Sequence, residues 1–157
     1  MPLNKKEKLI IGRSEHLALP EFGFKRLKAK IDTGAYTSSI HCHKIEVSPS
    51  KKDENELVLK FELLDPSHPL YTKKVLKVKE FKQKMIKSSN GTSRLSYVIK
   101  TEVEIFGKTY KTDFSLNDRS EMKYPILLGR KFLKKGFLVD VNSYDLSLKS
   151  KKKKKKK

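Results

Sequence analysis

The sequence predicts an all-β domain: a closed sheet or barrel of roughly eight short strands with one short helix near the C-terminus. Three observations predict it. Apolar residues alternate with polar ones along most of the chain. Two glycine-containing breaks sit between β-rich runs. Helical periodicity is confined to one short stretch.

The elements follow in order. In Lys25 to Asp32, Leu27, Ala29 and Ile31 face one way and Arg26, Lys28 and Lys30 the other, the two-residue repeat of a half-buried strand. Leu57 to Leu63 and Val75 to Phe81 alternate in the same manner. Pro49, Pro66 and Pro69 read as loop punctuation, and Lys51 to Glu56 as a charged connection. Asn90-Gly91 is the strongest tight-turn signal and predicts a hairpin between Phe81–Ile86 and Leu95–Ile99, because both residues tolerate positive φ. Gly107-Lys108 separates Tyr97–Phe106 from Thr109–Leu116 and predicts a second hairpin. Near the end, Ile126 to Leu128 reads as a buried strand running into Gly129. Arg130 to Lys135 follows as a short helix stopped by Gly136.

The 157 residues suit a single domain over 1–150. The tail 151–157 is all lysine; its like charges repel and bury nothing, so disorder is expected. Net charge is +19, and without the tail the remainder still carries +12. Such a body favours acidic partners, among them nucleic acid, a ribosomal surface or an acidic peptide. No apolar run is long enough to span a bilayer, and Met1 to Lys8 leads into only three apolar residues, too few for a signal peptide. With Cys42 as the single cysteine, no internal disulfide can form, and a reducing, cytoplasmic setting is expected.

The candidate chemistry lies in Asp32-Thr33-Gly34-Ala35, directly after an apolar strand. A carboxylate at a strand end, on a tight turn, is held rigidly and faces outward. The Thr33 hydroxyl is expected to anchor the turn. Gly34 is expected to supply an unusual φ and a close approach for a substrate backbone. Such a tripeptide alone is common in turns. The later Ile126-Leu127-Leu128-Gly129-Arg130 segment and the hairpin between them make the combination more specific.

In that order these residues resemble the retropepsin-like aspartic peptidases. The match extends to a narrower bacterial group often labelled ATP-dependent zinc proteases. It is carried by Ile11-Gly12-Arg13, Leu19-Pro20, Lys28 to Ala35, Thr37 to His41, Ser88-Ser89-Asn90-Gly91, Asp118-Arg119-Ser120, Met122, Tyr124-Pro125, Leu127 to Arg130 and Phe137 to Asp140. The resemblance implies a closed acid-protease barrel, a homodimer, and Asp32 as the catalytic residue of each copy. Thr33, Gly34 and Ala35 would form the active-site turn; Ser89, Asn90 and Gly91 a flap-like hairpin; Gly129 and Arg130 the supporting floor. His41 would be a hydrogen-bonded supporting or core residue. Retroviral members place an acid four residues after the catalytic Asp, able to pair with the Arg after the C-terminal Gly. Here that position is Tyr36, so Arg130 needs another partner, Asp140 or a carbonyl. The family association with ATP-grasp glutamate ligases further suggests an acidic, glutamate-tailed substrate.

Three readings therefore compete. The first is an aspartic peptidase in which two carboxylates share one proton, one serving as general base and the other as general acid. The second is a zinc protease, as the group's label states. Yet the sequence has no His-Glu-x-x-His helix, and His41, Cys42 and His43 would alternate across a strand, so no metal is expected. Nor is there a Gly-x-x-x-x-Gly-Lys loop, so this chain is not expected to bind ATP. The third is a non-catalytic module for RNA, the ribosome or peptides, with the lysine tail as a nucleic-acid contact. The aromatic residues alternate as core positions rather than as stacking platforms, which weighs against this class.

Overall fold

A computed structural model describes residues 7–87, 90–118 and 123–149. Eleven strands, one 3-10 turn and one short helix form its labelled elements. They are β1 (Leu9–Ile11), β2 (Ser14–Leu19), η1 (Pro20–Phe22), β3 (Phe24–Ile31), β4 (Ser38–Pro49), β5 (Leu57–Leu63) and β6 (Val75–Val78). Then come β7 (Lys82–Lys87), β8 (Ser93–Ile105), β9 (Lys108–Asn117), β10 (Ile126–Leu128), α1 (Arg130–Leu133) and β11 (Phe137–Val139). Residues 146–149 form a further helical turn. The all-β class and the short helix agree with the sequence expectation, and the chain adds strands to the eight anticipated. The lysine tail lies outside the described residues. No helix among them is long and apolar enough to cross a membrane.

Pairing runs β10–β3–β2–β8–β9–β4, and β4 pairs again with β10, so a ring of six strands closes. β10 lies parallel to β3 and antiparallel to β4. The seam between β2 and β8 is narrow, a single pair of Ala18 with Glu104. β5 and β6 extend the sheet outward from β4, and β7 leaves the ring through β8. A separate two-stranded sheet joins β1 and β11 in parallel.

The core fills the ring. Leu27, Ala29, Phe61, Phe114, Ile126 and Phe132 are all fully buried. Burying a Leu, Ile or Phe side chain contributes about 1.5–3 kcal/mol, which is why the alternating positions dictate the strand faces. Phe132 and Phe137 stack with centroids 5.1 Å apart, and Tyr110 meets Phe132 edge-on at 5.5 Å. These rings fasten α1 to β9 and β11.

Several elements differ from their sequence reading for identifiable reasons. The second hairpin turns on Phe106-Gly107, one residue earlier than Gly107-Lys108; both residues have positive φ (56° and 71°), as a two-residue turn matching strand twist requires. Pro49 is not in a loop but ends β4, opposite Leu57. The third alternating run stops at Val78 rather than Phe81, and α1 stops at Leu133 rather than Lys135. β4 itself carries no clean alternation, because its first five residues are buried on both faces and Lys44, with φ 56°, bulges the second half.

Glu15 is fully buried in β2, yet satisfied. Its carboxylate accepts hydrogen bonds from the backbone N–H of Gly12 (2.8 Å), Leu146 (3.2 Å) and Ser147 (2.9 Å). The C-terminal turn is thereby tied to the start of the barrel. Gly12 is glycine because a Cβ there would sit 2.6 Å from the carbonyl oxygen of Ser143.

Candidate active site

Asp32 follows β3 immediately, and its backbone N–H donates to the carbonyl of Leu128 in β10 (2.9 Å). The chain then turns, with the Ala35 N–H reaching back to the Asp32 carbonyl (3.3 Å). The carboxylate oxygen Oδ1 accepts from the Gly34 N–H (2.9 Å), which fixes its orientation, and Asp32 lines a pocket. Two details differ from the sequence expectation. Gly34 does not use a left-handed φ; its contribution is the N–H and the absence of a side chain. The Thr33 hydroxyl makes no hydrogen bond among the described residues; its carbonyl does the anchoring, accepting from Arg130 Nη1 (3.0 Å).

That contact supplies the partner Arg130 needs. The guanidinium also lies 5.7 Å from the Tyr36 ring centroid, and the Lys134 ammonium 5.3 Å from it. Tyr36, standing where an acid would otherwise pair with the arginine, holds it through the ring face instead. Gly129 brings α1 against the turn. Its N–H donates to Ser38 Oγ (3.0 Å), while the N–H groups of Arg130 and Lys131 donate to the carbonyls of Ala35 (2.8 Å) and Tyr36 (2.9 Å). Lys131 also pairs with Asp113 of β9. Burial pushes the Asp113 carboxyl up, but the Lys131 hydrogen bond and nearby lysine charges outweigh it and hold it below its ordinary value.

A pocket of about 60 Å³ opens over Asp32. Ala35, Thr37 and Ser39 form its floor with Leu127, and Ser115 and Asn117 of β9 its wall. The β7–β8 hairpin supplies the roof through Ile86, Lys87, Thr92 and Arg94. That volume holds a few waters and no peptide residue of ordinary size. At the hairpin's end Asn90 Oδ1 accepts from the Thr92 N–H (3.1 Å) and hydroxyl (2.8 Å), and Gly91 has φ 91°. Ser89 lies outside the described residues. The sequence-predicted flap residues Asn90 and Gly91 thus shape the turn, whereas the pocket is lined by hairpin residues that the motif did not single out. Their signal was the alternation on either side of Asn90-Gly91.

His41 is buried behind the pocket wall. Its Nε2 donates to the Asp65 carboxylate, and Nδ1 lies 3.3 Å from the carbonyl oxygen of Asn117. Its ring nitrogens thus lie against Asp65 and Asn117. Asp65 also accepts from the Ser67 hydroxyl and N–H (2.7 Å). The Ser67 hydroxyl, followed by His41, holds the Asp65 carboxyl down at about 2 against the opposing effect of burial. The depressed value has a direct consequence for acid stability. Asp65 stabilises the fold above its ordinary value of 3.8, and this contribution is lost as pH falls from about 4 to about 2. Acid unfolding should show a loss on the order of 2 kcal/mol in that window for the natural chain and a flatter profile for Asp65→Asn. Equal slopes would show that the Asp65 network does not matter to stability.

The residues present fit a zinc site poorly. Among the described residues no three His, Cys, Asp or Glu side chains converge. His41 is engaged by Asp65, and His43 meets the Tyr71 ring edge-on at 6.3 Å. Cys42 is packed in the core, where burial and Asp118 push its thiol well above the ordinary value, away from the thiolate a metal requires.

A family model described as RimB-like, "Retropepsin-like aspartic endopeptidase RimB", matches residues 10–150. Curated relatives named "Probable alpha-L-glutamate ligase" include proteins of Shewanella pealeana, 38% identical over 137 residues, and Desulfotalea psychrophila, 32% identical over 137 residues. Each alignment covers 85% of this chain and 28% of the relative, so the chain spans little more than a quarter of those proteins' length. A crystal structure of a Legionella pneumophila protein of unknown function superposes with a TM-score of 0.69 at 21% identity, covering 88% of this chain and 98% of that one. It shares the fold.

Proposed function

The chain belongs to the RimB-like family of retropepsin-like aspartic endopeptidases, and from that premise we propose that it hydrolyses peptide bonds as a homodimer, with Asp32 of two copies forming the dyad. The observation that carries the reading is the Asp32 carboxylate, fixed by the Gly34 N–H at the floor of a pocket roofed by a hairpin. The chain supplies one such turn, and general acid–base hydrolysis needs two carboxylates sharing a proton. One activates a water of the size the pocket admits, and the other protonates the peptide carbonyl. The Asn90-Gly91 hairpin would lie over the bound peptide, which requires it to lift for entry.

Pairing is supported by what surrounds the turn. Ile10 and Leu138 face each other across the β1–β11 sheet, and both are about half exposed (47% and 51%). On the opposite face of β11, Phe137 and Val139 line a recess with Thr33 and Arg130. A two-stranded sheet with apolar side chains in water is unstable by itself and is completed by a second copy on a two-fold axis.

The substrate is proposed to be acidic and glutamate-rich. Lys87 and Arg94 project into the roof above Asp32, and the net charge of +19 steers acidic chains toward the protein. The ligase names of the longer relatives support a functional link to a glutamate-adding, ATP-using partner. ATP would be handled by that partner, in the cytoplasm, and no metal would enter the hydrolysis.

Light scattering together with a cleavage assay tests the proposal. The expected result is a dimer that cleaves a glutamate-rich peptide about tenfold faster than its glutamine analogue, as charge steering allows. Salt should erase the preference, as should the double variant Lys87→Gln/Arg94→Gln, while a chelator should leave the rate unchanged. A monomer that cleaves, or activity that a chelator abolishes, would overturn the reading.

A further inference from the structure

The outer end of the β4–β5–β6 sheet carries a feature the catalytic reading does not use. Lys51, Lys52, Lys60, Lys77 and Lys79 surround a groove of about 310 Å³ floored by Pro49 and Val58. None of its lining residues is acidic. Lys60 of β5 and Lys77 of β6 stand directly opposite each other in the antiparallel ladder. Like charges so placed destabilise a sheet. Glu46 faces Lys60 from the β4 side, but no ion pair within 4 Å involves any of the five lysines among the described residues. The fold thus maintains a cationic cluster that its ladder neighbour Glu46 offsets only at Lys60.

The neighbouring backbone points to the kind of ligand. β6 ends the sheet, and its outer edge pairs with no strand among the described residues. Val58 and Lys60 project from the face of β5 opposite the core residues Leu59 and Phe61. An extended chain laid along β6 gains ladder hydrogen bonds and sets alternate side chains over Lys60, Lys77 and Lys79. Pro49, Val58 and the lysine stems offer apolar contact to the methylenes of a glutamate side chain. No aromatic ring lines the groove, so it lacks the stacking surface that nucleic-acid bases require. The site is remote from Asp32: Ser39 lines the catalytic pocket and Pro49 lines the groove. They stand ten positions apart on the same strand, a span of about 30 Å.

We propose that this lysine groove is a docking site for an extended acidic segment of a partner polypeptide, separate from the catalytic pocket. It binds independently of any cleavage.

The test is fluorescence anisotropy on the full chain carrying Asp32→Asn in every variant, so that the probe is bound and not cleaved. The probe is a labelled oligoglutamate about eight residues long, matched to the reach of the groove and its edge strand. The triple variant Lys60→Gln/Lys77→Gln/Lys79→Gln should weaken binding about tenfold or more, as loss of three close charges implies. It should melt no lower than the natural chain, since it removes a cross-strand repulsion. A charge-matched control, Lys25→Gln/Lys108→Gln/Lys135→Gln, and the pocket variant Lys87→Gln/Arg94→Gln should each retain most of the affinity. Four results would overturn the proposal: no binding of the probe, equal losses in the groove and control variants, loss confined to the pocket variant, or tighter binding of an oligouridylate of the same length that depends on the same three lysines.

Discussion

Replacing Asp32 with Asn is expected to abolish the proposed peptide hydrolysis, by about a thousandfold or more, while leaving the proposed dimer and the melting temperature intact. An amide cannot share the proton that two close carboxylates must hold, so neither the general base nor the general acid can operate. The structural role survives, because the side-chain oxygen of Asn can still accept from the Gly34 N–H that Asp32 Oδ1 engages at 2.9 Å. Mass, melting curve and cleavage rate measured on one preparation separate the two roles. Activity that persists in Asp32→Asn would remove Asp32 from the chemistry, and the family's reaction would then have to run through other groups.

Gly129→Ala should be the most damaging small substitution in the active-site floor. A Cβ at this position would lie 2.7 Å from the carbonyl oxygen of Tyr36 and 2.8 Å from that of Ala35. Both oxygens are backbone and are already held by the N–H groups of Lys131 and Arg130. Neither can retreat without breaking the link between α1 and the Asp32 turn. The expected cost is about 1–3 kcal/mol. For a domain of this size that lowers the melting temperature by about 2–12 °C. Activity should fall further than stability, since the displaced carbonyls belong to the turn that aims Asp32. Gly23→Ala is a useful contrast. Its φ of 78° makes it strained, but nothing lies within 4 Å of the added carbon. Its cost should stay near 1 kcal/mol, with catalysis untouched. If Gly129→Ala melts like Gly23→Ala, the close packing of α1 on the turn is not what holds the floor.

The two variants also probe different ranges of interaction. Asp32 and Gly34 are two residues apart, whereas Arg130 and Thr33 are 97 apart in the chain. The strand faces and turn positions that depend on near neighbours were largely legible from the sequence, though Gly34 and Thr33 play other parts in the turn than expected. The alternation of Leu27, Ala29 and Ile31 set the strand before the turn, because residues two apart share a face whatever else surrounds them. Asn90-Gly91 marked the hairpin for the same local reason, and Gly129 marked the start of α1.

Other features had no local signature. β4 is buried on both faces where it enters the ring, so its apolar and polar residues do not alternate. Glu15 reads as a surface residue in sequence and is fully buried, because the backbone N–H groups that satisfy it come from Gly12 and from residues more than a hundred positions away. Lys87 and Arg94 become pocket residues only when the hairpin folds back over Asp32.

By itself, the sequence determined the all-β class, the Asp-Thr-Gly turn, the hairpin and the short helix, since each rests on backbone preferences and face periodicity within a few residues. Only the tertiary structure decided that β10 wedges between β3 and β4 to hold Asp32, that Arg130 closes onto Thr33 and Tyr36, and that five lysines meet at an open sheet edge. Those juxtapositions depend on which distant strands pair, and pairing is chosen by the burial of the whole core rather than by any segment of it.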